Sequence, residues 1–189
     1  MVYTNLTAVE QKMHGLAESS KIKATDVGRL YDALVVEDTT DYEPIDVDNG
    51  VAIKIGDYTG NGLQEVYATV AAVGDKIAFV CAPANVKDGF TKSQKEAYNF
   101  YIPAGKLAKS YEIVPEDIFG VAAYQFTDGS KESLKEGSYV VVDGAGKWVA
   151  QTAEPDAETY GFIGKIHSIS YGTYYNMIRI LTIKNEDVA

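Results

Sequence analysis

The sequence predicts a mainly β chain: a barrel- or sandwich-like domain of short antiparallel strands, with an N-terminal arm and only short helices. Three observations lead there. Short runs rich in β-branched and aromatic residues recur from Val51 to Ile183. Gly, Asp and Asn clusters punctuate them at close intervals, as turns between strands require. Gly161 and Gly164 interrupt one such run, which fits the bend or bulge that a closing sheet needs.

The first segment reads differently. Thr7-Ala8-Val9-Glu10 has the form of a capping box, with a hydroxyl at the N-cap and a carboxylate three residues on. Val9, Met13, Leu16 and Ala17 then share one helical face, predicting a helix from Thr7 to about Ser19. Gly15 weakens it by roughly 1 kcal/mol relative to Ala. A helix this short needs a partner surface to persist. Val27, Leu30, Tyr31 and Leu34 repeat the helical spacing, but Leu30 to Val36 equally suits a strand, and both readings stand. Glu37, Asp38, Asp41, Glu43, Asp46 and Asp48 surround Pro44 and read as a solvated acidic linker. The expected division is therefore residues 1–48 as arm and linker, and residues 49–189 as the β-rich domain. Calcium is the sharper alternative for the carboxylates, yet their offsets do not match an EF-hand loop and no closing Glu follows.

Within the domain, Val51 to Ile55 leads into a turn at Asp57-Tyr58-Thr59-Gly60-Asn61-Gly62. Leu63 to Val70 and Lys76 to Cys81 follow as strands around Val73-Gly74-Asp75. Thr91 to Ala97 suits a short helical piece. Tyr111 to Val114 and Phe119 to Phe126 are rich in β formers. Ser138 to Val142 and Lys147 to Ala150 flank Asp143-Gly144-Ala145-Gly146, the clearest hairpin in the chain. Tyr160 to Ile166 and Met177 to Ile183 complete the order.

Bulk properties narrow the function. The chain has 189 residues and a formal charge of −10. A phosphate-binding surface needs clustered Lys and Arg, so nucleic acid is not an expected partner. Cys81 is the only cysteine, which leaves no disulfide within one chain, and its apolar surroundings read as a small buried hydrophobe. The N-terminus lacks the pattern of a signal peptide and no stretch reaches the apolar length of a membrane helix, so no membrane partner is expected and synthesis in a cytoplasm is.

The search for chemistry finds no catalytic, cofactor-binding or metal-ligating set. The two histidines, His14 and His167, lack ligand spacing; His14 is expected on an exposed helix. Gly144-Ala145-Gly146-Lys147 lacks the spacer and following hydroxyl of a phosphate loop, and it joins two strands where such a loop must enter a helix. Tyrosine does stand out: the chain carries 14, against six Phe and one Trp. Tyr suits protein interfaces, and it equally suits half-buried sheets. The candidate partner-contact residues are Val9, Met13, Leu16, Leu30, Tyr31, Tyr171, Tyr174 and Tyr175.

A succession of phrases beyond residue 25 carries a resemblance. They include Asp26 to Tyr31, Asp48 to Val51, Leu63 to Tyr67, Ile77 to Pro83, Asn99 to Lys106, Glu116 to Phe119, Glu136 to Val140 and Phe162 to Ile166. In these the chain resembles head-decoration, or capsid cement, proteins encoded near the major capsid protein of tailed bacteriophages of Gram-positive hosts. The phrases are strands and turns and include no catalytic signature. The resemblance implies a non-enzymatic protein on the capsid exterior. Its expected partner is the major capsid protein, with a homo-oligomer on the capsid as a further expectation and no cofactor. A tail-associated β domain is the alternative, and a carboxylate-based enzyme the more distant one.

Overall fold

A computed structural model of the chain describes residues 14–23, 28–84, 97–172 and 176–188. Strands and isolated bridges take 46 % of them and short 3-10 turns 8 %, so the fold is mainly β, as the patterning predicts. The strands are β1 (Ala17–Lys21), β2 (Leu30–Val35), β3 (Ala52–Tyr58), β4 (Glu65–Val70), β5 (Ala78–Val80), β6 (Leu107–Glu112), β7 (Ile118–Ala122), β8 (Tyr139–Val142), β9 (Trp148–Gln151), β10 (Phe162–Tyr171) and β11 (Asn176–Asn185). Five close into a barrel in the order β2-β4-β3-β5-β6, and six form a sheet in the order β1-β7-β11-β10-β8-β9. The sequence left barrel and sandwich open; the structure has a closed barrel beside a six-stranded sheet.

Local chemistry explains the hairpins. Asp143 Oδ1 accepts the amides of Ala145 at 2.8 Å and Lys147 at 2.9 Å, closing the β8–β9 turn. In β10 the register shifts between Ile163 and Gly164. A Cβ at Gly164 would lie 2.5 Å from Ile180 Cγ2, so the bulge there depends on glycine.

The strands alternate between two cores. Inside the barrel, Ala33, Val35, Ile53, Val66, Ala68, Ala78, Val80 and Ala108 meet. The next residues along β3 and β5, Ala52 and Phe79, point outward and join the second core, between barrel and sheet. There Phe79 lies 4.8 Å from Phe119, centroid to centroid, and Phe119 lies 5.3 Å from Trp148. Phe162 packs edge-on against Trp148 at 5.5 Å. Trp148 Nε1 donates to Gly50 O at 2.7 Å, so its buried polar atom is satisfied. Buried Asn185 ties the same layers: its Oδ1 accepts Ile77 N at 2.7 Å, and its Nδ2 donates to Ile77 O and Ile113 O.

Four expectations need correction. The arm-and-linker division at residue 48 does not hold: β1 pairs with β7, and β2 closes the barrel between β4 and β6. The predicted helix cannot reach Ser19, because Ala17–Lys21 is a strand; its earlier turns lie outside the described residues. The strands are not all antiparallel, since β2 and β4 run parallel. The acidic stretch is no free linker: Val36 bridges Pro44 and Val47 bridges Ile102 across it. Most of the Thr91 to Ala97 helix lies outside the described residues, and Ala97 opens a 3-10 turn.

Replacing Trp148 with alanine removes a buried ring of the aromatic layer and its hydrogen bond to Gly50 O. The expected loss is about 3–5 kcal/mol of unfolding free energy in urea titration, from cavity creation. A loss below about 1 kcal/mol, the range of ordinary surface changes, would show that the layers do not depend on it.

Candidate interaction surface

The barrel turns one face away from the sheet, and the strand register places its residues. Leu34 of β2 stands opposite Tyr67 of β4 and opposite Leu107 of β6. Opposed residues share a face, so these three form one cross-strand row. Their neighbours Ala33, Val66 and Ala108 point into the barrel core; the row itself lies outside both cores. A strand covering a barrel against water ordinarily carries polar residues on this side. Here Leu34 and Tyr67 are half-buried and Leu107 is 45 % exposed.

The acidic turn after β2 borders this row. Glu37 N donates to Glu43 O at 2.9 Å, and Asp38 Oδ1 accepts the amides of Thr40 at 2.7 Å and Asp41 at 3.1 Å. Those amides, Asp41's foremost, hold the Asp38 carboxyl below the usual carboxylate range. The turn brings the Tyr42 ring to 4.4 Å from the Tyr67 ring. Tyr42 takes φ +55° to do so, a left-handed conformation that costs a non-glycine residue about 1 kcal/mol or more. Glu37, Asp38, Asp41 and Glu43 are all exposed around it.

The N-terminal residues that are described belong to the body. Leu16 was expected to present an apolar stripe to a partner. In the chain it is 6 % exposed and packs with Ala122 and Met177. A Cβ at Gly15 would lie 1.9 Å from Asn49 O; glycine is what lets the backbones approach there. Gln125 fastens the crossing, accepting Leu16 N at 3.1 Å and Ala122 N at 2.9 Å and donating to Asn49 O at 2.6 Å. His14 is not helical: its Nδ1 lies 2.7 Å from Asp48 Oδ1 and its ring stacks on Tyr101 at 4.8 Å. A histidine–carboxylate pair can orient a general base. The open cleft beside it is lined, among the described residues, by Ile45, Val47, Val51, Val70 and Ala145 as well as carboxylates, and offers no hydroxymethyl or thiol nucleophile.

Elsewhere the other candidates separate. Tyr171 is 76 % exposed at the end of β10, while Tyr174, Tyr175, Val9 and Met13 lie outside the described residues. Leu30 is half-buried opposite Tyr111. Tyr31 packs against the barrel core, and burial, followed by the charge of Glu112, raises its phenol pKa. A cleft of about 280 Å³ over β1, β7, β10 and β11 holds the Arg179–Glu18 pair at 3.1 Å, with Arg179 Nη1 donating to Ser170 Oγ at 2.6 Å. Its charges are thus largely matched within the protein. Cys81 is half-buried against the inter-layer core, and burial pushes its thiol pKa up, away from nucleophilic character. Among the described residues no group of three or more His, Cys, Asp or Glu side chains could hold a metal ion. No helix among them is long and apolar enough to cross a membrane.

Sequence reasoning missed Leu34, Tyr42, Tyr67 and Leu107. The available signal was the pair of leucines at outward positions of strands whose inward positions are already apolar. The chain matches no protein-family model, and comparison with curated proteins and with solved structures gives no match.

The Asp38 turn generates a pH prediction. Its carboxyl titrates lower in the folded chain than in the unfolded one, so it contributes stability above the ordinary carboxylate range. That contribution is lost as pH falls through the folded pKa. Melting temperatures followed from neutral to acid pH should fall less steeply for Asp38→Asn than for the wild type. Parallel curves would mean that the turn does not draw on the ionised carboxylate.

Proposed function

We propose that this chain is a non-enzymatic virion structural protein, one that binds the outer surface of a tailed-phage capsid and stabilises the shell. The observation that carries this reading is a β-built acidic body that holds large apolar side chains in solvent. Leu63 is 98 % exposed in the β3–β4 turn, and Tyr171 and Leu107 stand exposed at other places. Such residues are costly to leave in water and valuable in a contact. The resemblance of the sequence to head-decoration proteins adds to it.

The physical role follows from repetition. A shell presents the same site many times, so modest contacts at each site add up through multivalency if one molecule or oligomer spans neighbouring subunits. An acidic body with a charge of −10 avoids nonspecific contact with nucleic acid released around particles. In this reading the major capsid protein is the partner, self-association occurs on the shell, no cofactor takes part, and the chain is made in the bacterial cytoplasm before joining the virion.

Gold-labelled antibody against the chain, applied to purified phage particles from a host lysate that expresses it, should decorate heads. Label confined to tails would favour a tail-associated β domain. Particles free of the chain altogether would remove the virion reading.

A further inference from the structure

We infer that the barrel face of Leu34, Tyr67 and Leu107, with the acidic turn 37–43 beside it, docks onto a protein surface that offers an apolar hollow bordered by Lys and Arg. This rests on the capsid reading and deepens it: the partner is the major capsid protein, and this is the face that meets it.

Three independent features converge on that face. The first is the apolar row itself, set outside both cores by strand register, with Leu107 45 % exposed. The second is backbone strain: Tyr42 sits at φ +55° with its ring over Tyr67, extending the row. Strain of this kind persists only where the surroundings enforce it, and Asp38 with the Glu37–Glu43 backbone bond enforces it here. The third is charge. Glu37, Asp38, Asp41 and Glu43 are exposed in the turn beside the row, and the next outward position on β6 after Leu107 is Lys109, opposite Asp32 of β2.

Charge complementarity selects the occupant. Anionic lipid and nucleic acid would meet four carboxylates and are repelled. A second copy brings its own charge of −10, and Lys109 on this face is outnumbered by Asp32, Glu65 and the turn carboxylates. A basic protein surface matches the border, and its hollow covers the leucine and tyrosine side chains. The carboxylates then steer encounter and set orientation, while the apolar row supplies the buried area.

The test uses the full chain and capsids grown from a phage that lacks its gene. Wild-type protein is titrated onto these particles and bound protein is measured by co-sedimentation at low and moderate salt. Leu107→Asp and the milder Leu107→Ser each remove the most exposed apolar side chain of the row, and Asp41→Lys with Glu43→Lys reverses the charge of the turn. Glu154→Lys with Glu158→Lys makes the same charge change in an exposed loop elsewhere. Circular dichroism and melting temperature establish that each variant is folded. We expect saturable wild-type binding, at least tenfold weaker binding for Leu107→Asp and for the turn reversal, a smaller loss for Leu107→Ser, and wild-type binding for the distant reversal. Equal binding by all variants overturns the proposed face and leaves the capsid reading intact. No wild-type binding overturns both. A wild-type dimer in light scattering that Leu107→Asp or Leu107→Ser dissolves would make a second copy the occupant and also overturn the proposal.

Discussion

The structure depends on the aromatic contact between barrel and sheet. Phe79 leaves the barrel wall and meets Phe119, which meets Trp148 and Phe162 from two other strands of the sheet. Neither layer could bury these rings alone. A five-stranded barrel with small inward residues such as Ala33, Ala68, Ala78 and Ala108 has a narrow interior and a limited apolar area of its own. The sheet is likewise apolar on one face and must cover it. Joining the two lets β5 and the first residues of β3, Ala52 and Ile53, be buried on both sides, and the polar ties from Trp148 to Gly50 and from Asn185 to Ile77 and Ile113 fix the relative position. These ties are within one well-satisfied interior, so they specify register as well as adding stability.

That arrangement decides which surface remains. The sheet covers Ala52 of β3 and Phe79 of β5, while Leu34 of β2, Tyr67 of β4 and Leu107 of β6 lie outside both cores. The Tyr42 turn lies beside this row. Two polar clusters elsewhere, Arg179 with Glu18 and His14 with Asp48, are paired within the chain.

Much of the fold was legible in the sequence because its signals are local. The β8–β9 hairpin is written in Asp143 and the glycines after it, and the long β10–β11 pair in two β-branched runs separated by Gly172 and tyrosines. What was not legible is non-local. Nothing in Leu30–Val35 or Glu65–Val70 marks a parallel partner, because the alternation is the same in either direction. Ala17–Lys21 looked helical because the preceding spacing is helical; pairing with β7 overrode that propensity. The acidic stretch looked like a linker because composition records charge and not the hydrogen bonds Asp38 makes. Leu16 looked available because its burying neighbours, Ala122 and Met177, lie far along the chain. Tyrosine abundance pointed to Tyr171 and its neighbours, while the left-handed Tyr42 could be recognised only from its φ and its ring contact.

The central claim is that barrel and sheet are one cooperative unit joined through the aromatic layer. Native-state hydrogen exchange measures this most directly, because it gives an opening free energy for each amide. Buried strand amides of the barrel, at Ile53 and Ala68, should open with the same free energy as those of the sheet, at Val121 and Ile180, and that value should equal the global unfolding free energy. Exchange of the sheet amides at a markedly lower free energy, with the barrel amides still protected, would show that the layers unfold independently and would contradict the account.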